Sequence, residues 1–483
     1  MVKNFLFSKP EKKDFMTFED SSREKKSVFK IIATDLGDEI FKKDYELKYA
    51  YVTGGMYRGV ASKELVVRMG NAGMLSFLGA GGMDIEDVIS DIKYIKKMLE
   101  PDKTFGLNLL PNPHHPDQTN ELLQVCCEFG VRNIEVAAFT KIEKCLVKFK
   151  LNGVSKRNDG QIEIKNHLMV KQSRPEFANL FLYPAPEEIV NELLEENNIT
   201  NEQAHLSRVI PLADDITVEA DSAGHTDGGS AFALIPVFIR LREQAYQRNN
   251  LSKRVRIGAA GGIGTPEAVA AAFILGADYI VTGSINQCTS EAGTSEIVKS
   301  MLQEMEVNDT DYCPAGDMFE HGSKVQVVKR GVLFPARANR LFELYRQYNS
   351  LEEIDEKIIK QIESRYFMKN LKEIYQECKN YYQPEYIKFA ESNPKQKMAA
   401  IFKWYFWNAS HLALKGEKNY SENFQIFCGP ALGAFNQYVK NTYFENWENR
   451  HVDEIGIMLM EKAAELLSMK FIDFTSKLNN TLN

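Results

Sequence analysis

The chain has 483 residues, 44% of them hydrophobic and 26% charged, a balance ordinary for a water-soluble enzyme and long enough for one large domain with an appendage. A formal net charge of −7 lacks the basic excess that a phosphate backbone demands, which argues against nucleic acid as the main partner. Seven cysteines without a CxxC pair give no disulfide framework. The longest apolar run, residues 231–239, is broken by Pro236 and falls far short of the roughly 20 residues of a membrane span.

The N-terminal MVKNFLFSKPEKKDF has no apolar signal core, so a reducing, cytoplasmic setting is expected. Continuously apolar, strand-like runs follow at residues 49–53, 74–78, 105–110, 133–138, 167–172, 216–220, 255–260 and 279–282. Unbroken apolar runs, rather than alternating ones, are expected of parallel strands buried on both faces. Helix-like segments lie between them, opened by Ser62-Lys63-Glu64, Asp84-Ile85-Glu86 and Thr265-Pro266-Glu267, the last with proline at the first helical position. Eight β/α units in about 250 residues predict a (β/α)8 TIM barrel, with a doubly wound open sheet as the rival. From Met318 onward strand-like runs give way to helical periodicity. The expected division is an N-terminal extension (1–45), the barrel (46–317) and a helical C-terminal region (318–483) packing on or near the barrel mouth.

Glycine-rich loops carry the chemistry. Ala260, Gly261 and Gly262 follow the seventh strand and Gly283-Ser284 the eighth, the loops that form the usual phosphate site of this barrel. Glycines there let backbone N–H groups approach a phosphate, and the helix that follows adds a positive dipole end. Tight turns without a ligand would give the same pattern. Gly54, Gly55 and Met56 follow the first strand, where missing side chains permit a flat ring to lie against the backbone. Asn108 places an amide inside the apolar FGLNLL and must find a partner, either a ring edge or a backbone group. Lys171 stands near the end of the fifth strand, facing a ligand or simply solvated. His225, flanked by glycines in EADSAGHTDGG, is placed over the mouth as a general acid or hydrogen-bond donor, or as a polar loop residue. His114-His115 reads as an ordinary loop pair. His205, His321, His411 and His451 lack companions at metal-ligand spacing, so no metal is expected. Trp404, Tyr405, Phe406 and Trp407 read as helix core, and no Rossmann glycine fingerprint is evident.

Taken together, GGM after the first strand, GLNL, the glycine-flanked His225, AAGGIG and GADYIVTGS resemble the nitronate monooxygenase-like flavoproteins. DYELKYAYVTGGMYRGVAS, VKQSRPEFA, ITVEADSAGHTD, VQVVKRGVLFPARANRLFELYRQYNSLEEI, NPKQKMAAIFKWYF and YSENFQIFCGPALGAFNQYVK narrow the resemblance, over residues 30–470, to the PfaD family. That family comprises trans-acting enoyl reductases of polyketide and polyunsaturated fatty acid synthases. The resemblance implies bound FMN, reduced by NADPH or NADH, and an enoyl chain carried by phosphopantetheine on acyl carrier protein. It places Gly261, Gly262, Gly283 and Ser284 at the FMN phosphate, and Gly55, Met56, Asn108 and Lys171 around the ring. His225 becomes the active-site residue. Nitronate oxidation is the alternative chemistry. Lys324, Lys329, Arg330, Arg337 and Arg340 are expected to meet an acidic carrier protein, and a homodimer is a base-rate expectation.

Overall fold

The structure, a computed structural model, describes residues 30–111 and 117–481. Eight parallel strands close a barrel in the order β1-β8-β7-β6-β5-β4-β3-β2. They are β1 Tyr51–Thr53, β2 Leu75–Leu78, β3 Gly106–Leu109, β4 Asn133–Ala137, β5 His167–Gln172, β6 Asp215–Glu219, β7 Arg256–Ala260 and β8 Tyr279–Thr282. Each expected run becomes one strand, with ends within two residues of those expected; the sixth begins one residue earlier, at Asp215. Closure of β1 on β8, with Thr53 opposite Thr282, rules out the open sheet. His114-His115 lies outside the described residues.

The bottom of the barrel is plugged by the helix Glu39–Asp44, whose N-terminus is capped by the Asp38 side chain accepting from the Phe41 N–H at 2.7 Å. That cap aims Phe41 and Tyr45 into the barrel. Phe41 stacks on Tyr279 of β8 with ring centres 4.4 Å apart, above Val52, Phe77 and Met169. Tyr45 donates to Asp215 at 2.5 Å, and Arg256 grips the same carboxylate through Nε at 2.5 Å and Asp44 through Nη1 at 2.7 Å. Beside it the buried Lys150–Asp214 pair joins β6 to the outer helices. These buried charges are mutually satisfied, and they lie at the N-terminal ends of the strands, the end that serves stability in this fold. Tyr45→Phe removes a hydrogen bond to a charged group, so unfolding in urea is expected to show a loss of about 1.5–3 kcal/mol with no change in the upper end of the barrel.

Beyond β8, an antiparallel sheet joins Thr310–Pro314, Lys324–Val328 and the two residues Gly224–His225. The strand Lys324–Val328 corrects the reading that strands cease after Met318. Val325 and Val327 bury on one side while main-chain bonds tie them to both neighbours, and pairing across the chain overrides the helical surroundings. Helices Phe334–Gln347, Leu371–Tyr381 and Pro394–Lys415 then enclose a second core around Phe319, Phe402 and Tyr405. Trp404, Tyr405 and Phe406 are buried as expected, whereas Trp407 is exposed. The last helix, Val452–Thr481, returns to the barrel and packs on helix Pro266–Ile274. Among the described residues no helix is long and apolar enough to cross a membrane, and no group of three metal-ligating side chains assembles.

Candidate active site

Four strand ends bring an ionic cluster to the C-terminal end of the barrel. Asn108 on β3 stands opposite Glu135 on β4, and Lys171 on β5 opposite Thr217 on β6. Glu135 is fully buried, and its Oε2 accepts from the Asn108 amide at 2.6 Å and the Gly55 N–H at 2.9 Å. Its Oε1 has no hydrogen-bond partner; the nearest cation is Lys171 Nζ at 3.9 Å. Lys171 lies 3.7 Å from Glu219 at the end of β6. Burial works against the ammonium, but the charges of Glu135 and Glu219 outweigh it and hold Lys171 above its ordinary value. Burial pushes the Glu219 carboxyl up from the usual carboxylate range; Lys171 opposes this and Glu135 adds to it.

The partner that Asn108 needed is thus a carboxylate. Gly55 is glycine for the same reason: a side-chain carbon there would stand 2.2 Å from Asn108 Cβ. Gly54 faces Glu135 and Val281 in the same way at 3.2 Å, and the Met56 carbonyl closes against Gly79, leaving no room for a side chain at residue 79. Glu135 was missed in the sequence because NIEVA reads as an apolar strand; one acid within such a run was the available signal.

Across the mouth, Ala260 ends β7 opposite Glu219, and the chain turns through Gly261 (φ +88°) and Gly262 (φ +73°). A side chain at Gly261 would strike the backbone of Ala220 and Asp221 at 2.8–2.9 Å. At Gly262 and Gly283, by contrast, nothing stands within 4 Å of where a side-chain carbon would be. These two glycines face open space from neighbouring loops, Gly262 ahead of helix Pro266–Ile274 and Gly283 ahead of the short 3-10 helix Ser284–Cys288. A second helix, Ala431–Tyr438, begins at the same place, so close that a side chain on Gly264 would meet the Ala431 carbonyl at 2.2 Å. Ser284 Oγ accepts from the Gly429 N–H at 3.0 Å, which fastens the C-terminal region to the cradle. The cradle, the nearby helix starts and the Lys171 cation fit a ligand that carries both a phosphate and an anionic ring.

His225 sits on the short strand Gly224–His225, held beside Val325 and preceded by Gly224 at φ +77°. Its Nε2 bonds Asp317 Oδ1 at 2.9 Å. Burial lowers the imidazole's proton affinity, but the Asp317 bond and the charges of Asp317 and Glu219 win and raise it above the ordinary value. Burial raises Asp317 as well, and His225 more than reverses that, holding the carboxyl below its usual range. Asp317 escaped the sequence reading because 92 residues separate it from its partner, and only the sheet brings them together. Of the expected carrier-facing cations, Arg337 is buried against Glu422 and Asn423, while Arg330 and Arg340 pair with Asp309 and Glu343. Lys324 and Lys329 are exposed.

The overall fold is similar to that of a solved structure, the enoyl reductase domain of MlnA from the macrolactin biosynthesis cluster of Bacillus amyloliquefaciens. It is 44% identical to this chain with a TM-score of 0.88, covering 91% of this chain and 99% of that one. The chain belongs to the PfaD family of trans-acting enoyl reductases. The polyketide biosynthesis protein PksE of Bacillus subtilis is 51% identical over 437 residues, 90% of this chain and 57% of PksE. A polyunsaturated fatty acid synthase polypeptide of Thraustochytrium is 39% identical over 442 residues, 89% of this chain and 30% of that polypeptide. This PfaD-family chain therefore spans little more than half of one relative and under a third of the other. Residues 348–424 match the inserted helical domain of acyl-carrier-protein S-malonyltransferase, which places that match within the second core.

Proposed function

We propose that this chain is a trans-acting enoyl reductase that uses FMN and NADPH or NADH to saturate the 2,3 double bond of enoyl thioesters. Its substrate is carried on the phosphopantetheine arm of an acyl carrier protein in polyketide or polyunsaturated fatty acid synthesis, in the cytoplasm. The observation that carries this reading is the open glycine cradle at Gly262 and Gly283, facing the same barrel mouth as the Lys171 cation. When bound, FMN would take hydride from the nicotinamide and deliver it to the thioester β-carbon.

The chain's residues bind and orient. Gly261, Gly262, Gly283 and Ser284 would hold the phosphate, with the start of helix Pro266–Ile274 contributing its dipole. Gly54, Gly55, Met56, Asn108 and Ala260 would border the ring, with Glu135 fixing the Asn108 amide in one orientation. Lys171 would supply positive charge where a reduced ring is anionic, its own charge secured by Glu135 and Glu219. With Nε2–H donated to Asp317, protonated His225 keeps its Nδ1 proton for the thioester α-carbon, and it stabilises the enolate oxygen that forms as the β-carbon is attacked.

Gly283→Val tests the cradle. No neighbour meets the added carbon, but the native backbone (φ −137°, ψ −75°) lies outside the regions that L side chains favour, so the apoprotein should lose about 1–3 kcal/mol and still fold. FMN affinity, read by fluorescence titration, should fall about tenfold or more. The whole reading is tested by anaerobic stopped-flow on FMN-loaded protein. NADPH or NADH should bleach the flavin, and a short 2-enoyl thioester on carrier protein should restore its colour while yielding the saturated product. Reoxidation by oxygen or alkyl nitronate alone would sink the reductase assignment in favour of nitronate-type oxidation.

A further inference from the structure

Arg58 lies five residues beyond β1, in a loop that interlocks with the one after β2. Its backbone N–H donates to the Gly81 carbonyl at 2.8 Å, and its φ is +53°. A long side chain rarely adopts that left-handed conformation. The guanidinium carbon stands 5.3 Å from the centre of the Tyr57 ring and 5.9 Å from that of Trp407. Trp407 in turn stacks on His411, with ring centres 5.2 Å apart and planes 10° from parallel. Tyr381, from the helical region, stands close enough for its hydroxyl to feel both Tyr57 and Arg58. Tyr57, Trp407 and Tyr381 are all exposed.

What this cation lacks is an anion. Its Nε is buried with no hydrogen-bond partner, and no carboxylate among the described residues forms an ion pair with it. Three of the buried arginines, by contrast, are engaged by carboxylates: Arg256 with Asp215 and Asp44, Arg337 with Glu422, Arg242 with Asp278. Aromatic contacts hold the guanidinium by its faces and leave its N–H edge uncommitted. That edge is a planar fork whose geometry matches a phosphate bidentately. The loop that carries it runs from Gly54 and Gly55 beside the ionic cluster, and Trp407 brings the helical region to the same spot.

We propose that Arg58 anchors a phosphate group borne by a substrate entering the barrel mouth. This rests on the reductase reading, under which two phosphate-bearing molecules enter: the phosphopantetheine arm of the enoyl substrate and the reduced nicotinamide nucleotide. The shared chemistry is a phosphate on a flexible arm, held by the guanidinium fork while the aromatic rings border the entrance.

Substrate pairs that differ by one phosphate provide the test. Enoyl-phosphopantetheine is compared with enoyl-pantetheine, and reduced nicotinamide mononucleotide with its riboside, in the wild-type chain and in Arg58→Met and Arg58→Lys. The wild type should favour the phosphorylated member of at least one pair by about tenfold or more in kcat/KM, and Arg58→Met should bring that ratio close to one. Arg58→Lys keeps the charge without the fork and should restore part of the preference. Loss confined to the enoyl pair identifies the pantetheine arm, and loss confined to the nicotinamide pair identifies the dinucleotide. No preference in the wild type, or a preference that survives Arg58→Met, overturns the proposal. Calorimetric titration of wild-type protein with both pairs, phosphopantetheine against pantetheine and reduced nicotinamide mononucleotide against its riboside, stands if Arg58→Met fails to fold, and equal affinities within both pairs overturn the site. Failure of the wild type to reduce either enoyl form defeats the reductase reading, while the titration still reports on the phosphate site.

Discussion

Glu135→Ala is expected to destabilise the chain by about 3–5 kcal/mol, because it strips a buried anion from three groups that depend on it. The Asn108 amide and the Gly55 N–H lose their acceptor, and Lys171 loses one of its two carboxylates. Each neutral donor left dry costs about 1–3 kcal/mol, and a half-paired ammonium adds to that. The side chain is completely enclosed, so water cannot step in cheaply. Glu135→Gln separates the two parts of the effect. Its amide oxygen can still accept from Asn108 and Gly55, so most of the neutral bonding survives while the charge opposite Lys171 is gone. Urea unfolding should place it between the parent and the alanine variant. Lys171 would then be supported by Glu219 alone, so its proton affinity should fall as burial gains the upper hand. Equal unfolding midpoints for parent and Glu135→Ala would mean that the cluster is wet and dispensable.

The barrel was legible because its strands are buried on both faces, a condition that writes itself into sequence as unbroken apolar runs. The glycine cradle was legible for a related reason: Gly261 sits where a side chain would collide with the backbone of residue 220, and the left-handed turn excludes most alternatives. What stayed hidden was pairing across the chain. Glu135 reads as one acid in a strand, yet it organises Asn108, Gly55 and Lys171 from three other strand ends. Arg337 reads as part of a basic surface, yet the turn near Glu422 folds back over it. The strand Lys324–Val328 looks ordinary until Thr310–Pro314 and Gly224–His225 lie on either side of it. Trp407 belongs to the same helix as the buried Trp404 and Tyr405, yet it stays exposed and meets Arg58 from the loop after β1. Local periodicity specifies faces; it does not specify which distant residue meets them.

His225→Ala should lower the rate of enoyl reduction about 100- to 10,000-fold while leaving the nicotinamide half-reaction nearly intact, since only the second step needs its proton. The sheet that holds His225 gains little from the imidazole itself, because both it and Asp317 are partly exposed. Stability should therefore change little, and the loss should be chemical. The pH profile makes the role specific. His225 has a raised proton affinity in the folded chain, so its charged form, and the bond it makes to Asp317, is fully present below the ordinary histidine value of about 6.5 and is lost as pH climbs through the higher folded value. Asp317 is displaced downward, so its share is present above about 3.9 and fades only as pH falls through its lower folded value. Enoyl reduction should accordingly hold across the acidic and neutral range and decline on the alkaline side. In Asp317→Asn, burial is no longer outweighed, so the alkaline limb should move to lower pH while FMN content stays at the parent's level. Single-turnover reoxidation of the reduced flavin by enoyl thioester, followed from pH 5 to 9, measures that limb directly. A limb that stays fixed in Asp317→Asn would assign the proton to water or to Glu219, whose carboxyl burial already holds in a more protonated state than usual.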